Sequence, residues 1–268
     1  MHRKPVVAGQ FYPGSKDKWL EEVRRYLAGG ESGGTAATLS MVPHAGYPFS
    51  GGVAGRTLAR AKPGGRVLLL GPNHTGQGKP LAVWSAGTWE LPGVSVPVDE
   101  ELAAQVLQAH KALQEDQAAH VREHSLEVVV PFLYALDEAT RIVPVAVAER
   151  DPNTLLQVGE ALADVVSAQN EPVSVVVSSD MSHFIPADKA KQKDELALKA
   201  IYEVNPEGLL ETVQKNSISM CGVLPMTVGL SLARKLGCTR GELVEYANSG
   251  DFIGDYDSVV GYAGVVIR

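Results

Sequence analysis

Short apolar runs alternate along the chain with segments whose apolar residues recur at helical spacing. Runs of strand length predict β-strands at Ala37–Val42, Arg66–Gly71, Leu81–Ser85, Arg141–Val147, Pro172–Ser178, Glu242–Ala247 and Tyr262–Ile267. Helical patterns predict helices from Ser15 through Leu27 and at Val53–Ala61, Asp99–His110, Ser125–Leu136, Pro152–Ala168, Lys189–Val204, Pro206–Lys215 and Leu224–Leu236. Strands that alternate with helices in this way indicate a layered α/β fold.

Two of the apolar runs, RVLLLG and VSVVVSS, lack the polar alternation of a half-exposed strand. Such runs are typical of strands covered on both faces, so we expect α/β/α layers around a largely parallel or mixed central sheet. The glycine-rich stretch at 29–34 is predicted to be a loop that joins an N-terminal helix to the sheet. The sequence shows neither an internal repeat nor a long linker, so residues 1–268 are interpreted as a single domain.

Histidines follow three of the predicted strands close to the point where each strand ends. His44 comes after the run that ends at Val42, and His74 follows RVLLLGPN. His183 follows VSVVVSSDMS, a stretch that also contributes Asp180. If these strands are parallel, their carboxyl ends share one edge of the sheet, where ligands and catalytic groups collect in α/β folds. The sequence therefore predicts a shared site at that edge.

Histidine-rich sites of this kind suit metal chemistry. Neutral imidazole is the commonest metal ligand in proteins and also transfers protons near neutral pH. Two histidines and one anionic group suit a redox-active or Lewis-acid metal. The anionic ligand is open between Asp180, Glu123, Glu127 and the thiolate of Cys221. Because Cys221 comes just before the predicted helix that starts at Leu224, we expect its pKa to be lowered by the helix N-terminus.

Each candidate also has a simpler structural interpretation. His44 and His74 are consistent with hydrogen-bonded turns, and Asp180 with a cap on the segment after its strand. Cys221 is consistent with an inert buried thiol, and His124 with the start of a helix. The histidines in polar surroundings, which we assign no role in the site, are His2, His110 and His120.

Composition narrows the class of protein without identifying its chemistry. The chain has 268 residues, with 24 Lys and Arg against 31 Asp and Glu, and a formal net charge of −7. It has no basic block that indicates nucleic-acid binding and no apolar run of about 20 residues that would span a membrane. Two cysteines, Cys221 and Cys238, argue against a disulfide framework. With no apolar segment of signal-peptide length at the N-terminus, a cytoplasmic protein is expected.

Several short motifs in fixed order resemble those of the Memo family over nearly the whole chain. They are AGQFYP from Ala8, PHAGY from Pro43, GPNH from Gly71, EHSLE from Glu123, SSDMSH from Ser178, CG from Cys221 and YANSGD from Tyr246. That family is similar to the catalytic subunit of class III extradiol ring-cleaving dioxygenases. The resemblance therefore implies a dioxygenase-like α/β fold with a metal-binding pocket at one edge of the sheet.

The resemblance also implies roles for individual residues. The metal ligands that it implies are His44, His74 and Cys221. The residues that it places in or near the pocket are Asp180, His183 and His124. In a redox enzyme, His183 or His124 would be the acid–base group and Asp180 would orient an imidazole. The related dioxygenases use a carboxylate where this chain offers a cysteine, which changes the metal preference and the redox behaviour of the site.

Three functions are compatible with such a pocket. The one favoured by the sequence is an iron- or copper-dependent redox enzyme that acts on a small organic substrate, with zinc as a weaker fit. The alternative is a binding protein that uses the same pocket for a peptide or small ligand without turnover. A hydrolase in which zinc activates water has the least support, because no other feature of the sequence indicates a scissile bond.

Overall fold

The computed structural model describes residues 1–30 and 35–268 of the chain. Its strands are β1 (His2–Arg3), β2 (Leu39–Val42), β3 (Arg66–Pro72), β4 (Leu81–Val83), β5 (Thr88–Leu91), β6 (Val94–Pro97), β7 (Gln114–Glu115), β8 (Arg141–Val147), β9 (Ser174–Ser178), β10 (His183–Ile185), β11 (Gly241–Asn248) and β12 (Val259–Ile267). Its helices are α1 (Lys16–Ala28), α2 (Tyr47–Ala61), α3 (Glu100–Ala109), α4 (Ala118–Val121), α5 (Val130–Leu136), α6 (Pro152–Ser167), α7 (Ala187–Tyr202), α8 (Pro206–Lys215), α9 (Val223–Lys235) and α10 (Gly250–Ile253). The predicted loop at 29–34 falls mostly on residues 31–34, which lie outside the described residues.

Within the described residues, a mixed nine-stranded sheet forms the middle of the fold. Its strands lie in the order β10-β12-β2-β9-β3-β8-β4-β7, and β11 pairs with β12 beside this path. The strands β2, β9, β3 and β8 are parallel, whereas β12 and β4 run antiparallel to their neighbours β2 and β8. Helix α2 packs on β2, β11 and β12, and α9 packs on β2, β3, β8 and β9. This arrangement confirms the predicted layered α/β fold with a largely parallel or mixed sheet.

Two features of the fold have no counterpart in the sequence-based expectations. A small second sheet is formed by β1, β5 and β6 in that order. The chain also makes the short strand β10 between β9 and α7.

Among residues 1–30 and 35–268, no helix has the length and apolarity needed to cross a membrane.

The parallel strands β2, β9 and β3 end side by side at one edge of the sheet. Val42 is the register partner of Ser178, and Leu70 is the register partner of Val177. All residues of β2 and β3 are buried, as are the last residues of β9. The segments that follow these strands therefore leave the sheet at the same edge, as the sequence predicts.

Helix α2 begins at Tyr47 rather than at Val53, so Gly51 and Gly52 lie inside a helix although they precede the helix that the sequence predicts. A Cβ atom on Gly51 would lie 2.6 Å from the ring of Tyr26, and one on Gly55 would lie 2.5 Å from the Cβ of Tyr26. These glycines allow α1 and α2 to approach closely. Close packing thus outweighs the low helix propensity of glycine here.

We expect Gly55→Ala to lower the free energy of unfolding by about 1–3 kcal/mol, because the added methyl group collides with the backbone of Tyr26 as well as its side chain. Gly52→Ala is the matched control on the same helix, since its Cβ would meet the flexible end of the Arg56 side chain first. Denaturant unfolding of both variants measures the difference. A Gly55→Ala protein as stable as the wild type would show that the two helices can separate without cost.

His120 is fully buried, although it stands among polar residues in the sequence. Its Nε2 atom lies 3.0 Å from the carbonyl oxygen of Ala82. Its ring packs edge-on against Trp84 and Trp89, with centroids 6.0 and 5.8 Å away. Burial lowers the pKa of His120 to about 4, so the folded protein keeps this imidazole neutral.

The buried His120 predicts a loss of stability in mild acid, between the ordinary pKa of 6.5 and the folded value of about 4. Over that range the unfolded chain takes up a proton that the folded protein does not, which costs on the order of 3 kcal/mol. Urea unfolding at about pH 7 and about pH 4.5 measures this loss. The His120→Phe variant should lose less between the two pH values, and an equal loss would assign the acid sensitivity to other groups.

Candidate metal centre

Three of the predicted site residues converge at the carboxyl edge of the sheet. One donor atom from each of His44, His74 and Cys221 lies within 4.8 Å of the other two. The Sγ atom of Cys221 lies 3.3 Å from Nε2 of His44, and the two imidazole rings meet edge to face with centroids 5.2 Å apart. His44 follows β2, His74 follows β3, and Cys221 comes just before α9. Donor atoms at this spacing fit one ion with bonds of about 2.0–2.3 Å.

His44 is buried and is oriented through a serine. Its Nδ1 lies 2.6 Å from Oγ of Ser178, and that hydroxyl donates to the carbonyl oxygen of Ser125 at 2.7 Å. The serine oxygen therefore accepts the Nδ1 proton, which leaves the lone pair of Nε2 facing the thiol of Cys221. Burial, reinforced by the neighbouring imidazoles, holds the pKa of His44 well below its ordinary value. This neutral tautomer is the form of histidine that binds a metal.

Glu123 orients His74 from the other side of the site. One carboxylate oxygen accepts from Nδ1 of His74 at 2.8 Å, and the other accepts from the His74 backbone N–H at 2.5 Å. The same carboxylate accepts from the backbone N–H groups of His124 and Ser125 at 3.0 and 2.9 Å. Burial disfavours charge on both groups, but their mutual contact outweighs it, raising the pKa of His74 and lowering that of Glu123 to about 2. A carboxylate on Nδ1 leaves Nε2 as the metal-binding atom.

The thiol of Cys221 lies beside Asp180. Its side chain keeps some surface exposure, but Sγ is enclosed by the pocket and accepts from the backbone N–H of Asp180 at 3.2 Å. Burial, followed by the negative charge of Asp180, raises the pKa of Cys221. The expectation of a lowered pKa is therefore wrong, because loss of solvation outweighs the field of the helix N-terminus. A bound cation would have to displace the proton to make the thiolate.

Asp180 contacts His44, and His183 is held to Ser219, two residues before Cys221. One oxygen of Asp180 accepts from the backbone N–H of His44 at 2.8 Å, and the other lies 4.0 Å from Nε2 of His44. Burial raises the pKa of Asp180. Nδ1 of His183 lies 2.9 Å from the carbonyl oxygen of Ser219, so Nδ1 is the donor and Nε2 keeps its lone pair.

The backbone between Asp180 and His183 is not helical. His183 instead begins β10, which pairs with β12, and α7 starts only at Ala187.

His124 completes the set of imidazoles. Its ring stacks on that of His74, with centroids 5.0 Å apart and 17° between the planes, and Phe11 packs edge-on at 4.9 Å. Burial lowers the pKa of His124. His74, Glu123 and His124 form a second group whose donor atoms lie within 4.8 Å of one another. Glu123 already accepts the Nδ1 proton of His74. The role of this second group is therefore to orient His74 for the group formed by His44, His74 and Cys221.

Glu127, one of the anionic candidates from the sequence, lies outside both groups of donor atoms. Its carboxylate pairs with Arg3 at 2.8 Å. It also accepts from the backbone N–H groups of Val6 and Val7 at 2.9–3.1 Å and from the hydroxyl of Tyr12 at 2.9 Å. With its oxygens fully engaged there, Glu127 is not available as a metal ligand.

The fold and the site define a class of α/β protein in which two histidines and a cysteine meet at the carboxyl edge of a mixed sheet. The family model described as Memo-like protein matches residues 3–266. A MEMO1 family protein from Methanopyrus kandleri is 40% identical, over 100% of this chain and 99% of the relative. Another, from Aquifex aeolicus, is 42% identical over 98% of each chain. The chain therefore belongs to the Memo family.

A solved structure shares the fold at much lower sequence identity. It is the crystal structure of an uncharacterized protein from Escherichia coli K12. The two structures align with a TM-score of 0.57 and 12% identity, over 85% of this chain and 98% of that chain. The likeness concerns the fold alone.

Proposed function

We propose that this Memo-family protein is a metal-dependent redox enzyme that holds iron or copper between His44, His74 and Cys221 and acts on a small organic substrate. One observation carries the proposal. Both histidines have Nδ1 engaged by a buried partner, which leaves the two Nε2 atoms free beside a single thiol. Such fixed tautomers are typical of metal-ligating histidines.

The chemistry of the donor set supports this choice of metal. A thiolate is a soft ligand and imidazole an intermediate one, so the set favours iron, copper or zinc over magnesium and calcium. Three protein ligands leave coordination positions open for a substrate. When bound, iron or copper supplies Lewis-acid and one-electron chemistry. Zinc binds the same donors without redox change, and the experiment below separates the two.

Residues of the pocket supply proton transfer and orientation. His183 is the proposed acid–base group, because its Nδ1 donates to the Ser219 carbonyl and its Nε2 keeps a free lone pair. His124, neutral because burial lowers its pKa, is a second acceptor stacked on His74. Asp180 fixes the backbone N–H of His44 and so orients that imidazole.

Anaerobic titration of the metal-depleted protein with ferrous, cuprous and zinc ions tests the metal assignment. We expect about one iron or copper per chain, a thiolate-to-metal absorption band and a change of oxidation state when air is admitted, seen by electron paramagnetic resonance. Binding of zinc alone, or of no metal, would contradict the proposal.

Dioxygen uptake by the ferrous protein, with catechol as the probe substrate, tests turnover. His183→Gln is the matched variant, expected to keep the metal and to slow uptake by about 100-fold or more, as loss of an acid–base group does. Metal binding with neither uptake nor redox change would favour the alternative, a binding protein that uses the same pocket.

A further inference from the structure

Residues 3–12, here called the N-terminal segment, contribute no donor atom to the two groups of metal-ligating side chains found in the described residues. This segment nevertheless contacts the segment after His44 and the residues around Glu123 and His124. The carbonyl oxygen of Phe11 accepts from the backbone N–H of Tyr47, just after the loop with His44. The ring of Phe11 packs on His124. The AGQFYP motif therefore packs against residues that surround the metal-binding side chains and contributes no donor atom itself.

Arg3 is the buried anchor of the N-terminal segment. Its Nε donates to the carbonyl oxygen of His120 at 2.9 Å, and one terminal nitrogen donates to the carbonyl oxygen of Glu123. The other terminal nitrogen pairs with Glu127 at 2.8 Å, and the guanidinium lies 4.2 Å from the ring centroid of Trp89. One planar group thus holds three points along residues 120–127. A lysine ammonium cannot reproduce this planar, forked arrangement of three N–H donors.

Glu127 holds the N-terminal segment in return. Its carboxylate accepts from Val6, Val7 and Tyr12, as described above. Between these contacts the chain makes a tight turn at Gly9, whose φ is +81° and whose N–H donates to the carbonyl oxygen of Tyr12 at 2.7 Å. The ion pair therefore fixes the N-terminal segment and residues 120–127 to each other.

We propose that Arg3 is a positioning residue of the metal centre, which sets the carboxylate of Glu123 against His74 by holding the carbonyl oxygens of His120 and Glu123 and the carboxylate of Glu127. The inference rests on the proposed metal site. A buried ion pair adds little stability over apolar residues of the same volume. The contribution of Arg3 and Glu127 is therefore to fix the relative positions of the N-terminal segment and residues 120–127. Glu123 transmits that geometry, because it contacts both Nδ1 and the backbone N–H of His74.

Arg3→Lys tests the proposal by keeping the charge beside Glu127 and removing the fork. We expect ferrous affinity to fall about 10–100-fold, the range for partners that orient a metal-ligating histidine. Arg66→Lys is the matched control, since Arg66 is also buried, pairs with Asp99 at 2.6 Å and starts the strand that His74 follows at its other end. The control should keep its affinity. Unchanged affinity in Arg3→Lys, or an equal fall in both variants, would overturn the proposal.

A measurement without metal separates this proposal from the proposed function. Long-range proton–nitrogen NMR of the metal-free protein, recorded at a pH high enough to keep the imidazole neutral, reports the His74 tautomer, expected as pure Nδ1–H in the wild type and as a mixture in Arg3→Lys. If the wild type binds no iron but the tautomer shifts, positioning stands and the metal function fails. An unshifted tautomer would refute positioning. Should Arg3→Lys not fold, Arg3→Met combined with Glu127→Gln removes both charges and gives the same comparison.

Discussion

Cys221→Ser is expected to weaken ferrous and cuprous binding by at least about 100-fold, beyond the loss typical of a supporting partner. The variant replaces a soft thiolate donor, 3.3 Å from Nε2 of His44, with a hydroxyl that both metals bind poorly. Cys238→Ser is the matched control, because Cys238 is buried beyond α9 and belongs to neither group of donor atoms. Anaerobic titration of both variants measures the difference.

Equal affinities of the two cysteine variants would remove Cys221 from the ligand set. Asp180 would then be the nearest anionic donor, since one of its oxygens lies 4.0 Å from Nε2 of His44. Two histidines and a carboxylate would then form the donor set, an arrangement that suits non-haem ferrous iron with open coordination positions.

Glu123→Gln is expected to weaken metal binding about 10–100-fold and to lower the free energy of unfolding by about 1–3 kcal/mol. The carboxylate of Glu123 accepts four N–H donors, from Nδ1 and the backbone of His74 and from the backbones of His124 and Ser125. A glutamine amide has one acceptor oxygen and presents its NH₂ group to at least one of these donors. The His74 ring then loses its fixed tautomer or its backbone anchor.

Asp99→Asn is the matched control for Glu123→Gln. Asp99 is also a buried carboxylate, which accepts from Arg66 at 2.6 Å and caps α3 by accepting from Leu102 at 3.2 Å. We expect the control to lose stability and to keep its metal affinity. Urea unfolding and anaerobic titration of each variant give the two quantities. If Glu123→Gln loses stability alone, as the control does, Glu123 stabilises the fold without tuning the site.

The polar residues that follow the apolar runs predicted where the site lies, because the carboxyl ends of parallel strands meet at one edge of the sheet. An apolar run that stops at a polar residue is visible in the sequence, and β2, β3 and β9 are neighbours in the sheet. His44, His74 and Asp180 therefore lie together, as expected from the residues that follow those runs. Their roles in binding and catalysis stay predictions.

The supporting contacts depend on packing that the sequence does not display. Ser178 looks like the end of a buried strand, and Glu123 looks like an alternative ligand, yet these two hold the Nδ1 atoms of the histidines. The helix predicted from Ser125 begins only at Val130, because the N–H and hydroxyl of Ser125 bond to Glu123 and to the carbonyl of Pro72. Strand β10 has three residues and a positive φ of 59° at Phe184, so no strand pattern marks it.

The position of β9 constrains when the site can form. This strand lies between β2 and β3 in the sheet, although it follows both of them in the chain. A nascent chain that ends before Ser178 therefore cannot bring His44 and His74 together, and Cys221 emerges from the ribosome later still. Pairings between distant segments are also slow to form. We therefore expect an ion that needs both histidines and Cys221 to be bound only after β9 and Cys221 have left the ribosome.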